Sequence, residues 1–143
     1  MDIGIIIITH GKLAESLKQT LFSIVGEKEK VVSICIPVKF TLEKLYKEID
    51  KEIKNLATQY VVIFTDMLGG TPCNTSLMVS KDQQNVYIIS GVNLYMLITA
   101  INLRELNKDM SIHEYIEKVI EEGKKCIINV NELFKNRFFK DKK

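Results

Sequence analysis

The run from Ile3 to Thr9, IGIIIIT, constrains the fold of this chain more than any other segment. Its unbroken β-branched stretch has no polar alternation, which fits a strand covered on both faces, as in a parallel sheet flanked by helices. It is far too short to span a bilayer, and Asp2 stands where a secretory signal would carry basic charge. The expected location is therefore cytoplasmic.

The same plan continues along the chain. From Lys12 the spacing becomes helical, with Leu13, Leu17, Leu21 and Ile24 on one stripe and Gly26 placed to end the helix. Val31 to Ile36 is a second strand stopped by Pro37; Thr41 can then cap a helix marked by Leu42, Leu45, Ile49, Ile53 and Leu56. Tyr60 to Thr65 is a third buried strand, after which Gly69-Gly70 leads to Thr71 as N-cap and Pro72 in the first helical turn. Val86 to Ser90 is a fourth strand, followed by Asn93 as cap and a helix through Leu94, Leu97, Ile98 and Ile101. Ser111 with Glu114 forms a capping-box pattern for a helix carrying Ile112, Ile116, Val119 and Ile120 and ending near Gly123. Cys126 to Val130 reads as a last strand. The alternation predicts an α/β sandwich whose first four strands are parallel, because each crossover is long enough to hold a helix.

With 143 residues, 46% of them hydrophobic, the chain suits one domain with a single core. Its 20 basic and 18 acidic residues leave a formal charge of +2, too weak a field to argue for nucleic acid, so small molecules or proteins are the expected partners. The exception is the stretch Phe134 to Lys143, where Lys135, Arg137, Lys140, Lys142 and Lys143 meet only Asp141; it reads as a solvated basic tail. Cys35, Cys73 and Cys126 show no C-x-x-C spacing, so neither a disulfide framework nor a zinc site is expected. Cys35 and Cys126 read as small core residues of apolar strands, and Cys73 has no resolving partner nearby in sequence. His113 falls in the first turn of a surface-type helix without other ligands at metal spacing. Phosphate-loop and dinucleotide-binding glycine patterns are absent from the sequence, so no nucleotide cofactor is expected.

Ligands of open parallel sheets sit beyond the carboxyl ends of the strands, where strand order reverses. His10 follows the first strand, Asp66 follows the third, and the loop Met67 to Pro72 leads from that same edge into a helix. A carboxylate that accepts a hydrogen bond from His10 Nδ1–H selects the tautomer whose Nε2 lone pair is free to attack. The amides of Gly70 and Thr71 at a helix start can hold phosphate oxygens, with glycine allowing close approach. The plainer readings are a hydrogen-bonded loop histidine, a turn aspartate and a simple helix start.

Three motifs, Ile5-Ile6-Ile7-Ile8-Thr9-His10-Gly11, Asp66-Met67-Leu68-Gly69-Gly70-Thr71-Pro72-Cys73-Asn74 and Ser90-Gly91-Val92-Asn93, appear in order. Through them the chain resembles the mannose-type EIIA component of the phosphoenolpyruvate-dependent sugar phosphotransferase system. The resemblance implies that His10 takes phosphate from the carrier HPr and gives it to an EIIB partner, which serves membrane permease components. Asp66 is implied to orient the histidine, and Thr71 falls on the phosphate-binding serine. It also implies a homodimer in which a fifth, antiparallel strand, here Cys126 to Val130, is exchanged between subunits. The domain would cover residues 1–130, with 131–143 as the tail, and neither metal nor cofactor is called for. Leu68 and Cys73 depart from the aromatic residues of many relatives. The rival readings are the phosphotransfer subunit that serves dihydroxyacetone kinase and a non-catalytic module that senses an anion.

Overall fold

Strand β1 (Ile3–His10) is buried at every residue except His10, because helices cover both of its faces. The structure, a computed structural model, describes residues 1–138, with side chains described as far as Lys135. Around β1 the elements follow in the order α1 (Leu13–Val25), β2 (Val31–Ile36), α2 (Leu42–Leu56), β3 (Tyr60–Thr65), α3 (Thr71–Ser80), β4 (Val86–Ser90), α4 (Leu94–Leu106), α5 (Ile112–Lys125) and α6 (Val130–Phe138). The four strands form one parallel sheet in the order β2-β1-β3-β4. The expected three-layer α/β sandwich with four parallel strands is what the structure shows.

Side chains of a strand alternate between faces. Ile3, Ile5 and Ile7 therefore enter one core with Leu21 of α1, Leu97 and Ile101 of α4 and Tyr115 and Val119 of α5. Ile6 and Ile8 enter the other, with Leu45, Ile49 and Ile53 of α2 and Val79 of α3. Each of these large side chains contributes about 1.5–3 kcal/mol by leaving water. Tyr115 is fully buried, and its hydroxyl donates to the Ala100 carbonyl at 2.9 Å, joining α5 to α4; burial raises its pKa.

Several boundaries are set by local chemistry. The Thr41, Asn93 and Ser111 side chains accept from the amides of Lys44, Met96 and Glu114, capping α2, α4 and α5 as expected. Gly26 ends α1 with φ +80°, a conformation open to glycine. Helical stripes were narrower than the sequence pattern: Leu13, Ile24 and Leu42 are exposed, and Ala14 with Leu21 forms the buried face of α1. At α3 the cap lies one residue earlier than expected. Gly70 is the N-cap with extended backbone, Thr71 is already helical, and Pro72 follows within the first turn.

The segment Cys126 to Val130 is not a strand within this chain. Local bonds take over where α5 stops: Ile127 N–H donates to the Lys124 carbonyl at 3.3 Å, and Val130 opens α6. Asn129 caps that helix, its side chain accepting from Glu132 N–H at 3.3 Å. Cys126 accordingly ends α5, half-buried, and is not a core residue of a strand. The basic stretch from Phe134 begins within α6, while Lys140, Asp141, Lys142 and Lys143 lie outside the described residues. Among the described residues no helix is long and apolar enough to cross a membrane.

Candidate functional site

The sheet order places β1 between β2 and β3, so the crossovers from β1 and from β3 run to opposite sides. The carboxyl ends of β1 and β3 therefore flank the point where strand order reverses, the usual ligand crevice of an open α/β sheet. His10 is the last residue of β1 and Asp66 the first after β3. Register brings them together, since Ile8 pairs with Thr65.

One carboxylate oxygen, Asp66 Oδ2, accepts both the His10 backbone N–H at 2.9 Å and the ring at Nδ1 at 2.8 Å. Its other oxygen accepts the Met67 N–H at 2.9 Å. An ionised carboxylate only accepts, so the ring contact requires the proton on Nδ1 and leaves the Nε2 lone pair free. Half of the His10 side chain is exposed, against 15% of Asp66. Partial burial pushes the Asp66 pKa up, but the hydrogen bonds from His10 and Met67 outweigh it, and the group sits below its usual value of 3.8. The carboxylate is thus charged at neutral pH, where it holds the ring and would stabilise positive charge on it.

The β3–α3 loop closes on the other edge of the imidazole. A Cβ at Gly70 would lie 2.9 Å from His10 Cε1 and 3.1 Å from Met67 Cγ, so only glycine lets this backbone lie against the ring. Gly69 turns with φ +77°, and its carbonyl accepts from the Asn74 side chain at 3.0 Å, tying the loop to the first turn of α3. Thr71 stands at the helix start, half-buried, and its hydroxyl has no hydrogen-bond partner among the described residues. The start of an α-helix directs unpaired amides and partial positive charge outward, a setting suited to an anion.

His10, Asp66, Gly70 and Thr71 therefore meet at one rim. Sequence reasoning missed the Met67 amide as a second anchor of Asp66 and Asn74 as the brace of the glycine turn. Backbone amides carry no sequence signal, whereas Asn74 stood in view within the motif. His113 lies toward the amino ends of the strands, exposed and edge-on to Tyr87 with ring centroids 5.9 Å apart. Cys73 is buried in α3, and no group of residues suited to a metal occurs among the described residues.

Residues 4–120 match the family model described as the PTS system fructose IIA component. The mannose-specific EIIAB component of the phosphotransferase system (PTS) of Escherichia coli K12 is 32% identical over 128 residues, 89% of this chain. The chain spans only 39% of that longer relative. The fructose-specific EIIA component of Bacillus subtilis is 28% identical over 104 residues, covering 72% of this chain and 71% of its own length. Among solved structures, the phosphotransferase system component EIIA of Streptococcus agalactiae superposes with a TM-score of 0.82 at 27% identity, covering 91% of this chain and 98% of its own. With the family model covering residues 4–120, which hold nearly all of the sheet and most of its helices, this chain belongs to the mannose-type EIIA family of the sugar phosphotransferase system.

Proposed function

We propose that this chain is a cytoplasmic phosphoryl carrier in sugar uptake, taking phosphate from phosphorylated HPr on His10 Nε2 and passing it to an EIIB component. In the first transfer the nitrogen–phosphorus bond of the donor breaks as the bond from Nε2 to phosphorus forms; the second transfer reverses these roles. The reading is carried chiefly by the 2.8 Å contact between His10 Nδ1 and Asp66 Oδ2, which frees Nε2 on a half-exposed ring. Asp66 offsets the charge gained by the phosphorylated ring, and the Gly70-Thr71 helix start receives the phosphoryl oxygens. Holding the ring in one orientation removes much of the entropic cost of an in-line displacement. Exposed Met67 and Leu68 beside the site, and a cavity of about 400 Å³ at the end of β2 lined by Pro37, Lys39, Phe40 and Lys44, leave room for a protein partner.

Incubation with phosphoenolpyruvate and the general phosphotransferase proteins, followed by intact mass, tests the reading. One added phosphate that is lost in acid is expected, because a phosphoramidate hydrolyses there whereas phosphoserine and phosphothreonine persist. An unmodified mass would refute it.

The proposal extends to a homodimer. Ile127 is 80% exposed and Ile128 54% exposed, and β4 is an edge strand whose unpaired backbone could receive a strand from a second copy. In that assembly Cys126 to Val130 would leave the connection between α5 and α6 to pair in exchange, as the last segment of a domain of residues 1–130.

A further inference from the structure

Thr9 precedes His10 in β1, and alternation turns its side chain to the α1 face of the sheet, opposite the face that Ile8 enters. It is fully buried, although threonine is polar. Its hydroxyl makes two bonds: it accepts the Ala14 N–H at 2.7 Å and donates to the His10 carbonyl at 3.1 Å. Helix α1 needs the first of these, because Lys12 at its N-cap provides no side-chain cap. A group that accepts from one neighbour and donates to the other must be a hydroxyl in this space. The His10 main chain is then held at each end, its N–H by Asp66 Oδ2 and its carbonyl by Thr9, while the next amide, Gly11 N–H, donates to the Ile36 carbonyl at 2.9 Å.

We infer that Thr9 is a positioning residue for transfer: its buried hydroxyl couples the start of α1 to the His10 main chain and so sets the direction in which Nε2 points. The inference rests on the carrier reading for its kinetic consequence, but not for its structural one. Valine fills the same volume without a hydroxyl, leaving the Ala14 N–H and the His10 carbonyl without this partner, whereas serine keeps both bonds.

The test compares wild type, Thr9→Val and Thr9→Ser in two measurements. In single-turnover transfer from phosphorylated HPr, Thr9→Val is expected to lower the maximal rate about tenfold, with the donor KM within about twofold, as befits a misdirected nucleophile with an intact docking surface. Thr9→Ser is expected to restore the rate. In imidazole nitrogen spectra taken without any partner, the His10 ring signals should shift or broaden in Thr9→Val and return in Thr9→Ser. A folded Thr9→Val protein with the wild-type ring spectrum overturns the inference, and so does serine behaving like valine. Wild type that accepts no phosphate would instead remove the carrier reading, and the spectra alone would then judge Thr9. Should Thr9→Val lose its cooperative melting transition, Thr9→Cys replaces it with the same outcomes, its thiol being a weak donor and acceptor.

Discussion

The two histidines of this chain differ in everything except their side chain. His10 ends a buried strand, shares one carboxylate oxygen through its main chain and ring, and has Gly70 against its edge. His113 stands in the first turn of α5 at the opposite end of the sheet, where Tyr87 is its aromatic neighbour. Both are exposed, so exposure does not separate them. A fixed tautomer, a counter-charge and a glycine backbone against the ring do, and all three come from sheet register and from the loop after β3.

The comparison breaks most sharply if His113 proves able to take the phosphate. His10→Ala is expected to abolish acid-labile phosphate incorporation and His113→Ala to leave it at the wild-type level, both read by intact mass. Incorporation surviving in His10→Ala would move the centre of the chemistry elsewhere.

Removing only the counter-charge is the next largest change. Asp66→Asn can offer its amide oxygen to Nδ1–H without a negative charge, so about 2–4 kcal/mol of transition-state stabilisation should be lost, the scale of one preorganised contact. That is about thirtyfold to a thousandfold in rate, measured by rapid quench with phosphorylated HPr, while thermal melting stays cooperative. Near wild-type transfer by the folded variant would leave Asp66 as a turn residue.

The glycine loop gives a smaller and purely steric test. In Gly70→Ala the new methyl lies 2.9 Å from His10 Cε1, and the ring or the loop must move. A displacement of a few tenths of an ångström should slow transfer about tenfold without loss of fold. His113 has no such neighbour, so its ring spectrum should stay unchanged in this variant while that of His10 shifts.

The smallest effect is one of pH. Because the folded pKa of Asp66 lies below 3.8, its stabilising contribution is present above the unfolded value and is lost as pH falls through the folded one. The Asp66 carboxyl resonance should therefore titrate below 3.8, and the His10 amide should shift with it. A midpoint above that value would mean that burial outweighs the hydrogen bonds. The His113 amide should not follow this titration.

The pattern of apolar and capping residues alone predicted every parallel strand and the caps Thr41, Asn93 and Ser111, because burial on both faces and a short side-chain oxygen before a helix are local requirements. It also placed His10, Asp66, Gly70 and Thr71 at one edge, since βα alternation assigns each strand end to that rim. It failed where the outcome depends on neighbours. Leu13, Ile24 and Leu42 have helical spacing but lie exposed, and Cys126 to Val130 has strand composition but in the single chain is taken up by local bonds at the end of α5 and the start of α6. The shared Asp66 oxygen, the Met67 and Asn74 anchors, the contact of Gly70 with the ring and the double bond-making of the Thr9 hydroxyl were decided by tertiary structure. Periodicity records which side of an element faces the core, whereas a hydrogen bond depends on sub-ångström placement between residues as far apart in sequence as His10 and Asp66, which strand order and register set.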